Sequence, residues 1–268
     1  MDITTQRTAI VTGASRGLGL ALTKGLVNNG WHVIATARGA QQLRDAFHGP
    51  TFHGSALDGT DLAGDKTRDQ RSEHRVTVVP GDVTSPGHRQ RLVDLAGGRL
   101  DLLVNNASWL GPSPLPALAT VDLEAVRAVY ETNLIAPLAL TQTALPYLSA
   151  ADGTILNISS DAATGAWPGW GVYGSSKAAL DQSTVILGVE HPGLAVYTVD
   201  PGDMRTAMHA EAFPGEDISD RPLPDAVVPS LLRLLEILPP SGRYKAAEFS
   251  AEDVTATAAD TAETVDVA

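Results

Sequence analysis

A single α/β domain built on a doubly wound parallel sheet, with helices on both faces, is the fold class the sequence predicts. Three observations carry it. Short apolar runs of strand length alternate along the chain with segments of helical period, the order that produces a parallel sheet covered on both faces. The first run, Ala9-Ile-Val-Thr12, feeds a glycine-rich turn, Gly13-Ala-Ser15-Arg16-Gly17-Leu18-Gly19, that opens a helix. No self-similarity at periods of about 20 to 50 residues breaks this order, which sets aside repeat architectures. At 268 residues the chain can bury one sizeable core and is too short for two enzyme domains with linkers.

Composition narrows the partners. Hydrophobic residues make up 43% of the chain and no apolar run approaches ~18 residues, so a soluble protein without a membrane partner is expected. The net charge of −12 argues against nucleic acid, which demands a basic face. Met1-Asp-Ile-Thr-Thr-Gln-Arg7 leads into the first strand without the pattern of a signal peptide, and there are no cysteines, so a cytoplasmic location is expected. After Lys245 come Glu248, Glu252, Asp253, Asp260, Glu263 and Asp266 with no Lys or Arg. Residues 250–268 are therefore expected to form a disordered acidic tail behind a folded domain at 1–249.

The elements follow in order. Leu20, Leu22, Leu26 and Val27 recur at helical spacing after the turn. Glycines there let the backbone turn tightly and admit a pyrophosphate to the N–H groups at the helix start, where the dipole favours anions. Val33–Ala37 reads as the second strand, and at its end an NAD enzyme places a carboxylate on the ribose 2′-hydroxyl. Here stand Ala37 and Arg38. Arg38, with Arg16 from the turn, could instead hold a 2′-phosphate, which predicts NADP(H) in preference to NAD(H). Residues 48–74 show neither period and are expected to be a mobile insertion. His48, His53 and His74 within it lack the spacing of a metal site, and no metal is expected. Arg75–Val79 is the third strand, followed by Gly81-Asp82-Val83; Leu100–Val104 is the fourth, followed by Asn105-Asn106-Ala107-Ser108.

Helices are expected at 120–132 and 133–149. Pro137 at their junction has no N–H to close the helical bond to the carbonyl of Asn133, which frees that carbonyl for a water. Thr154–Ser159 is a buried strand that delivers Ser160 to a loop, and Leu194–Val199 is a sixth strand ending in Asp200-Pro201-Gly202. The polar, proline-containing segment 203–224 reads as a lid over a substrate. Met204 and Met208 within it suit an adaptable apolar wall or a core gap equally. Leu231, Leu232, Leu235 and Leu238 mark an amphipathic helix before a closing strand at Gly242–Ala246.

Tyr173 and Lys177, four apart on a helix beginning near Gly171, share one face. The ammonium beside the phenol is expected to lower its pKa and make Tyr173 a usable acid/base. Ser160 lies thirteen residues upstream, placed to donate to a carbonyl oxygen. Ser160 with Tyr-x-x-x-Lys, behind Thr-Gly-x-x-x-Gly-x-Gly, resembles the short-chain dehydrogenase/reductase family from about Thr8 to about Ala246. The resemblance implies a Rossmann-like domain in which Ser160, Tyr173, Lys177 and Asn133 are catalytic, with Asn133 relaying a proton through water to Lys177. It also implies a cofactor held by Gly13, Ser15, Arg16, Gly17, Leu18, Gly19, Arg38, Asp82, Val83, Asn105, Ala107, Tyr173, Lys177, Pro201, Gly202 and Thr206. Ser108 departs from the family's Asn-Asn-Ala-Gly. NADPH-dependent reduction of a ketone or aldehyde is the implied activity, with Trp109, Trp167, Trp170, Met204 and Met208 around the substrate. A silent nucleotide-binding sensor, or a nucleotide-retaining epimerase or dehydratase, are the alternatives on the same fold. A homodimer or homotetramer is implied, with Leu134, Leu138, Thr141 and Leu145 supplying a shared helical face.

Overall fold

The computed structural model describes residues 6–48, 56–58 and 75–250. Strands β1 (Thr8–Thr12), β2 (His32–Thr36), β3 (Ala56–Asp58), β4 (Val76–Val78), β5 (Leu102–Asn105), β6 (Thr154–Ile158), β7 (Ala195–Asp200) and β8 (Gly242–Lys245) form one sheet in the order β3-β4-β2-β1-β5-β6-β7-β8. Every pairing is parallel. The helices are α1 (Gly17–Asn28), α2 (Ala40–His48), α3 (Pro86–Ala96), α4 (Leu123–Tyr130), α5 (Ala136–Ser149), α6 (Gly171–Glu190), α7 (Ala207–Ala212) and α8 (Val228–Ile237). None among the described residues is long and apolar enough to cross a membrane.

Strand parity explains the two layers. Val11, Val33 and Ala35 pack with Leu22 and Leu26 of α1 and with Leu231 and Leu234 of α8 on one face. Ile10, Ile34, Leu103 and Ile155 pack with Leu92 of α3 and with Leu140, Ala144 and Leu148 of α5 on the other. Ile10 sits level with Ile34 and Leu103 on the two neighbouring strands and is fully buried. Each such Leu or Ile contributes about 2 kcal/mol relative to exposure, so these two layers hold the sheet. The winding reverses at β1, whose neighbours are β2 and β5, and that reversal opens a crevice at the strands' C-terminal ends.

Two expectations are corrected. The 48–74 segment is not without regular structure, because β3 within it adds an edge strand beside β4, Leu57 pairing with Thr77. Three residues are too few to display a period, which hid the strand from the sequence. The remainder of that segment from 49 on, and the tail from 251, lie outside the described residues. The junction expected between helices at 120–132 and 133–149 takes another form: α4 and α5 are joined by a π-helical turn, Glu131–Ile135, in which the Ala136 N–H donates to the Glu131 carbonyl. Pro137, in the first turn of α5, has no N–H for that wider register or for the α-helical one.

Candidate active site

Backbone geometry makes the glycine turn what it is. Gly13 and Gly17 adopt φ of +68° and +57°, which residues with a side chain rarely tolerate. A Cβ on Gly19 would stand 2.3 Å from the Gly13 carbonyl oxygen, so only glycine lets α1 start this close beneath the turn. The Thr12 hydroxyl accepts from the N–H groups of Asn106 and Ala107, each at 3.0 Å, and the Asn106 amide donates to the Thr12 carbonyl at 2.9 Å. These bonds lock the loops after β1 and β5 together. Replacing Gly19 with Ala is expected to lower Tm by roughly 2 to 10 °C and to weaken dinucleotide binding by about tenfold, since overpacking costs about 1 to 3 kcal/mol. Thermal melts with and without cofactor check this, and an unchanged Tm rejects the close approach.

A cleft of about 700 Å³ runs over this turn. Gly13, Ser15, Arg16, Gly17 and Leu18 line one end with Arg38, Asp82, Val83 and Ala107, while Pro201, Gly202 and Thr206 line it near Ser160, Tyr173 and Lys177. Gly19 lies beneath rather than in the wall. Asn105 also departs from expectation: it is buried level with Asn157, to whose side-chain oxygen it donates at 2.8 Å, and Asn106 faces the cleft in its place. Thr206 caps α7 by accepting from the His209 N–H at 3.1 Å. The 203–224 segment is closed on itself by the Arg205 N–H to the Pro222 carbonyl (2.8 Å), and it contributes Asp203, Met204, Arg205 and His209 to the cleft wall.

At the reaction centre Tyr173 is 7% and Lys177 2% exposed. The Lys177 ammonium donates to the Ile158 carbonyl at 2.7 Å and lies 5.6 Å from the Tyr173 ring centroid. Burial pushes the Tyr173 phenol up to about 12; the polar hydroxyls of Ser108 and Ser160 nearby oppose this, and the carboxylates of Asp161 and Asp200 add to it. Burial likewise pulls Lys177 down to about 8, against the pull of Asp181. The expectation that the cation would lower the phenol's pKa is therefore corrected: both groups have left water, and the loss of solvation outweighs their proximity. Ser160 accepts from the Ala162 N–H at 3.1 Å and donates to the Asp161 carboxylate at 3.0 Å.

Asn133 is fully buried and lines no part of the cleft. Its side-chain oxygen accepts from the Trp109 N–H (2.8 Å) and the Ser108 hydroxyl (3.1 Å), and its nitrogen donates to the Trp109 carbonyl (2.9 Å) and to Ser176 (3.0 Å). The side chain thus ties the loop after β5 to α6. Sequence reasoning also missed Arg243. Its guanidinium donates to Asp181 at 2.8 Å and to the Ser160 carbonyl at 3.1 Å, and lies 3.9 Å from Asp200. Asp181, four residues beyond Lys177 on the same helical face, was a legible signal; Arg243, 83 residues from Ser160, was not.

Apolar side chains wall the space beside the phenol. Leu110, Leu115, Trp170, Met208 and Ala212 cluster with Tyr173. Trp170 meets Tyr173 edge-on at 5.9 Å and Phe213 at 5.8 Å. Met204 lines the cleft but packs against the larger core layer. Two tryptophans differ from expectation. Trp109 lies outside the cleft, where its backbone is bound by Asn133, and Trp167, 48% exposed, lines a separate shallow groove with Leu118 and Gly165.

The family model for the short chain dehydrogenase matches residues 7–217. This chain belongs to that family. It is 33% identical over 204 residues to a serine 3-dehydrogenase of Agrobacterium fabrum, covering 74% of this chain and 72% of the relative. It is 32% identical over 205 residues to the sepiapterin reductase of Rattus norvegicus, covering 74% of each. Among solved structures, a short chain dehydrogenase of Shigella flexneri complexed with NADP superposes with a TM-score of 0.76 at 25% identity, over 92% of this chain and 99% of that one. One of Escherichia coli complexed with NADPH gives 0.75 at 26%, over 91% and 98%. The chain is thus an NAD(P)-dependent oxidoreductase on the Rossmann-like fold of this family.

Proposed function

We propose that this short-chain dehydrogenase reduces a ketone or aldehyde to its alcohol with NADP(H) in preference to NAD(H), reversibly, with Tyr173 as acid/base. The observation that carries the reading is a buried phenol, held protonated and flanked by Ser160, at one end of a cleft whose other end is the glycine turn. The turn fits a dinucleotide: positive φ at Gly13 and Gly17 and the bare Cα of Gly19 leave the N–H groups at the start of α1 open to a pyrophosphate. When bound, the cofactor supplies the hydride to the carbonyl carbon. Tyr173 gives its proton to the carbonyl oxygen, and Ser160 turns its hydroxyl from Asp161 to donate to the same oxygen. Lys177, largely an ammonium at neutral pH with a pKa near 8, offsets the charge left on the phenol. Pro201, Gly202 and Thr206 would hold the nicotinamide end of the cofactor, and Asp82 and Val83 its adenine end.

Arg16 and Arg38 line the cleft with Ala37, and their guanidinium groups would hold a 2′-phosphate. Arg16 is 4.0 Å from Glu211 on α7, and its side chain is 59% exposed. Such a surface pair is worth at most about 1 kcal/mol, less than a charge-assisted bidentate contact to phosphate, so the phosphate wins Arg16. The two complexes above, with NADP and with NADPH, agree with this choice. The wall of Leu110, Trp170 and Met208 favours an apolar or aromatic carbonyl substrate. Loss of reduced-nicotinamide absorbance, with NADPH and with NADH, across a panel of such carbonyls tests the proposal; no turnover with any, or turnover without consumption of cofactor, would refute it.

The same reading includes self-association. Ile135 and Leu138, with Val185, Ile186 and Val189 on α6, are large apolar side chains left exposed. Thr141 does not belong to this face, since it is buried and receives the Asn105 amide, and Leu145 packs against the core. Sedimentation of the unmodified chain should show a dimer or tetramer, and Leu138→Arg with Ile186→Arg should reduce it to monomer. A monomeric parent rejects the face.

A further inference from the structure

Ser160 stands just past the sheet, where the backbone that carries it loses its neighbour. The Ser159 N–H donates to the Val199 carbonyl at 2.8 Å, which extends the pairing of β6 with β7 one residue past Ile158. In a parallel ladder the following donor to this strand is two residues on, at position 201. That residue is Pro201, which has no N–H to give. The chain therefore turns at Ser160 into the short helical turn Asp161–Ala163 without a further bond from β7. A side chain from β8 reaches it instead. Arg243 is level with Thr198 on β7, and its Nε donates to one oxygen of Asp181 on α6 at 2.8 Å while the Thr198 hydroxyl donates to the other at 2.5 Å. A terminal nitrogen of the same guanidinium donates to the Ser160 carbonyl at 3.1 Å, where the Ala163 N–H also arrives at 3.1 Å, and lies 3.9 Å from the Asp200 carboxylate.

We propose that Arg243 is a positioning residue for the reaction: anchored on Asp181, it holds the Ser160 carbonyl and so sets where the Ser160 hydroxyl stands relative to Tyr173. The inference rests on the reading that Ser160 donates to the substrate oxygen. Ser160 and Tyr173 come from different elements, the end of β6 and the start of α6, and their separation has to be set by something that touches both. Arg243 does so, because Asp181 lies about two helical turns beyond Tyr173 on α6. Asp181 is a firm anchor: it is buried, and each carboxylate oxygen has its own donor. A guanidinium suits the task because its donors point in fixed directions from one rigid plane, so that holding one arm on Asp181 aims the other at Ser160. Placement of this kind matters to rate, since a donor displaced by about 1 Å can cost up to about a hundredfold.

Arg243→Lys keeps a cation beside Asp181 and Asp200 but offers one donor point in place of a fork, so it cannot serve Asp181 and Ser160 together. With NADPH and the fastest carbonyl of the panel above, kcat should fall about tenfold while KM and NADPH affinity each stay within about threefold of the parent. The same substitution in a Ser160→Ala background should cost less than about twofold more, because the hydroxyl that Arg243 positions is gone. Parental kcat for Arg243→Lys, or an equal loss in both backgrounds, overturns the inference. A Ser160→Ala variant that by itself keeps parental kcat removes the role of Ser160 and the inference with it, whereas an impaired Ser160→Ala with equal losses removes Arg243 alone. Arg243→Met made together with Asp181→Asn deletes the cation and its carboxylate at once, so that Asp181 is not left a buried unpaired charge that unfolds the chain. This pair should show the same loss of kcat, and a parental value overturns the inference too. Hydrogen exchange needs no substrate: the Ala162 and Ala163 amides, which donate to the Ser160 hydroxyl and carbonyl, should exchange about tenfold faster in Arg243→Lys. Unchanged exchange there rejects the tether.

Discussion

Tyr173→Phe is expected to lower kcat by about 10²- to 10⁴-fold while NADPH binding stays within about threefold of the parent. The change removes one oxygen from a ring that keeps its place against Trp170, so a loss of this size belongs to proton transfer and not to packing. The pH profile has a defined sign. Burial holds the phenol protonated, with a pKa raised to about 12, so carbonyl reduction, which uses the protonated form, should be flat through neutral pH and fall only in strong alkali. Alcohol oxidation uses the phenolate and should climb about tenfold per pH unit, then bend above about 8 as Lys177 loses its proton and its charge no longer favours the anion. Steady-state kinetics in both directions, with cofactor binding followed by fluorescence, checks the prediction. A variant that keeps more than about a tenth of parental kcat removes Tyr173 from the chemistry.

What the sequence disclosed and what it withheld divide along the range of the interaction. The glycine turn was legible because its spacing falls within seven residues, Gly13 to Gly19, and one of its tight approaches, a Cβ on Gly19 against the Gly13 carbonyl, is internal to it, although Asn106 and Ala107 from the loop after β5 close in on Gly13 and Gly19 as well. Tyr173 and Lys177 were legible because helical spacing alone puts them on one face. The sheet's alternation of strands and helices came through for the same reason, each apolar run being long enough to show its period, whereas the three residues of β3 were not.

Other features depend on sums over the whole molecule. Which of Asn105 and Asn106 faces the cleft turns on where β5 ends, a boundary that sequence patterns place only to within a few residues. Asn105 is still in the strand, level with Asn157, and Asn106 is the first residue past it. The direction of the Tyr173 pKa could not be read from its neighbour at i+4, because desolvation is set by every element packed around the phenol. Arg243 reaches Ser160, Asp181 and Asp200 from the far end of the chain. It carries no local mark beyond being a basic residue in a short strand.

The cofactor end offers a substitution whose effect is as large and whose sign is opposite for two closely related ligands. Ala37→Asp with Arg38→Leu puts a carboxylate just past the end of β2, in the cleft wall proposed to hold the 2′-phosphate, and deletes one of the two guanidinium groups proposed to pair with it. Losing a charge-assisted bidentate contact and gaining like-charge repulsion is worth about 2 to 4 kcal/mol, roughly 30- to 1000-fold in relative kcat/KM. NADPH should lose by that factor. NADH, which has only hydroxyls there, should lose little and should gain where the new carboxylate accepts from both. Ala37 lines the cleft but is buried at the edge of the core layer on the α1 side of the sheet, so a thermal melt of the double variant separates any loss of stability from the change in cofactor ratio. Arg16 remains in the variant and retains some phosphate affinity, which sets the lower end of the expected range. The measurement is the NADPH-to-NADH ratio of kcat/KM in parent and double variant at fixed ionic strength, since a phosphate contact weakens with salt. A parent that already prefers NADH, or a variant whose ratio does not fall, would make Arg16 and Arg38 ordinary surface charges and leave the choice of cofactor to other residues of the cleft.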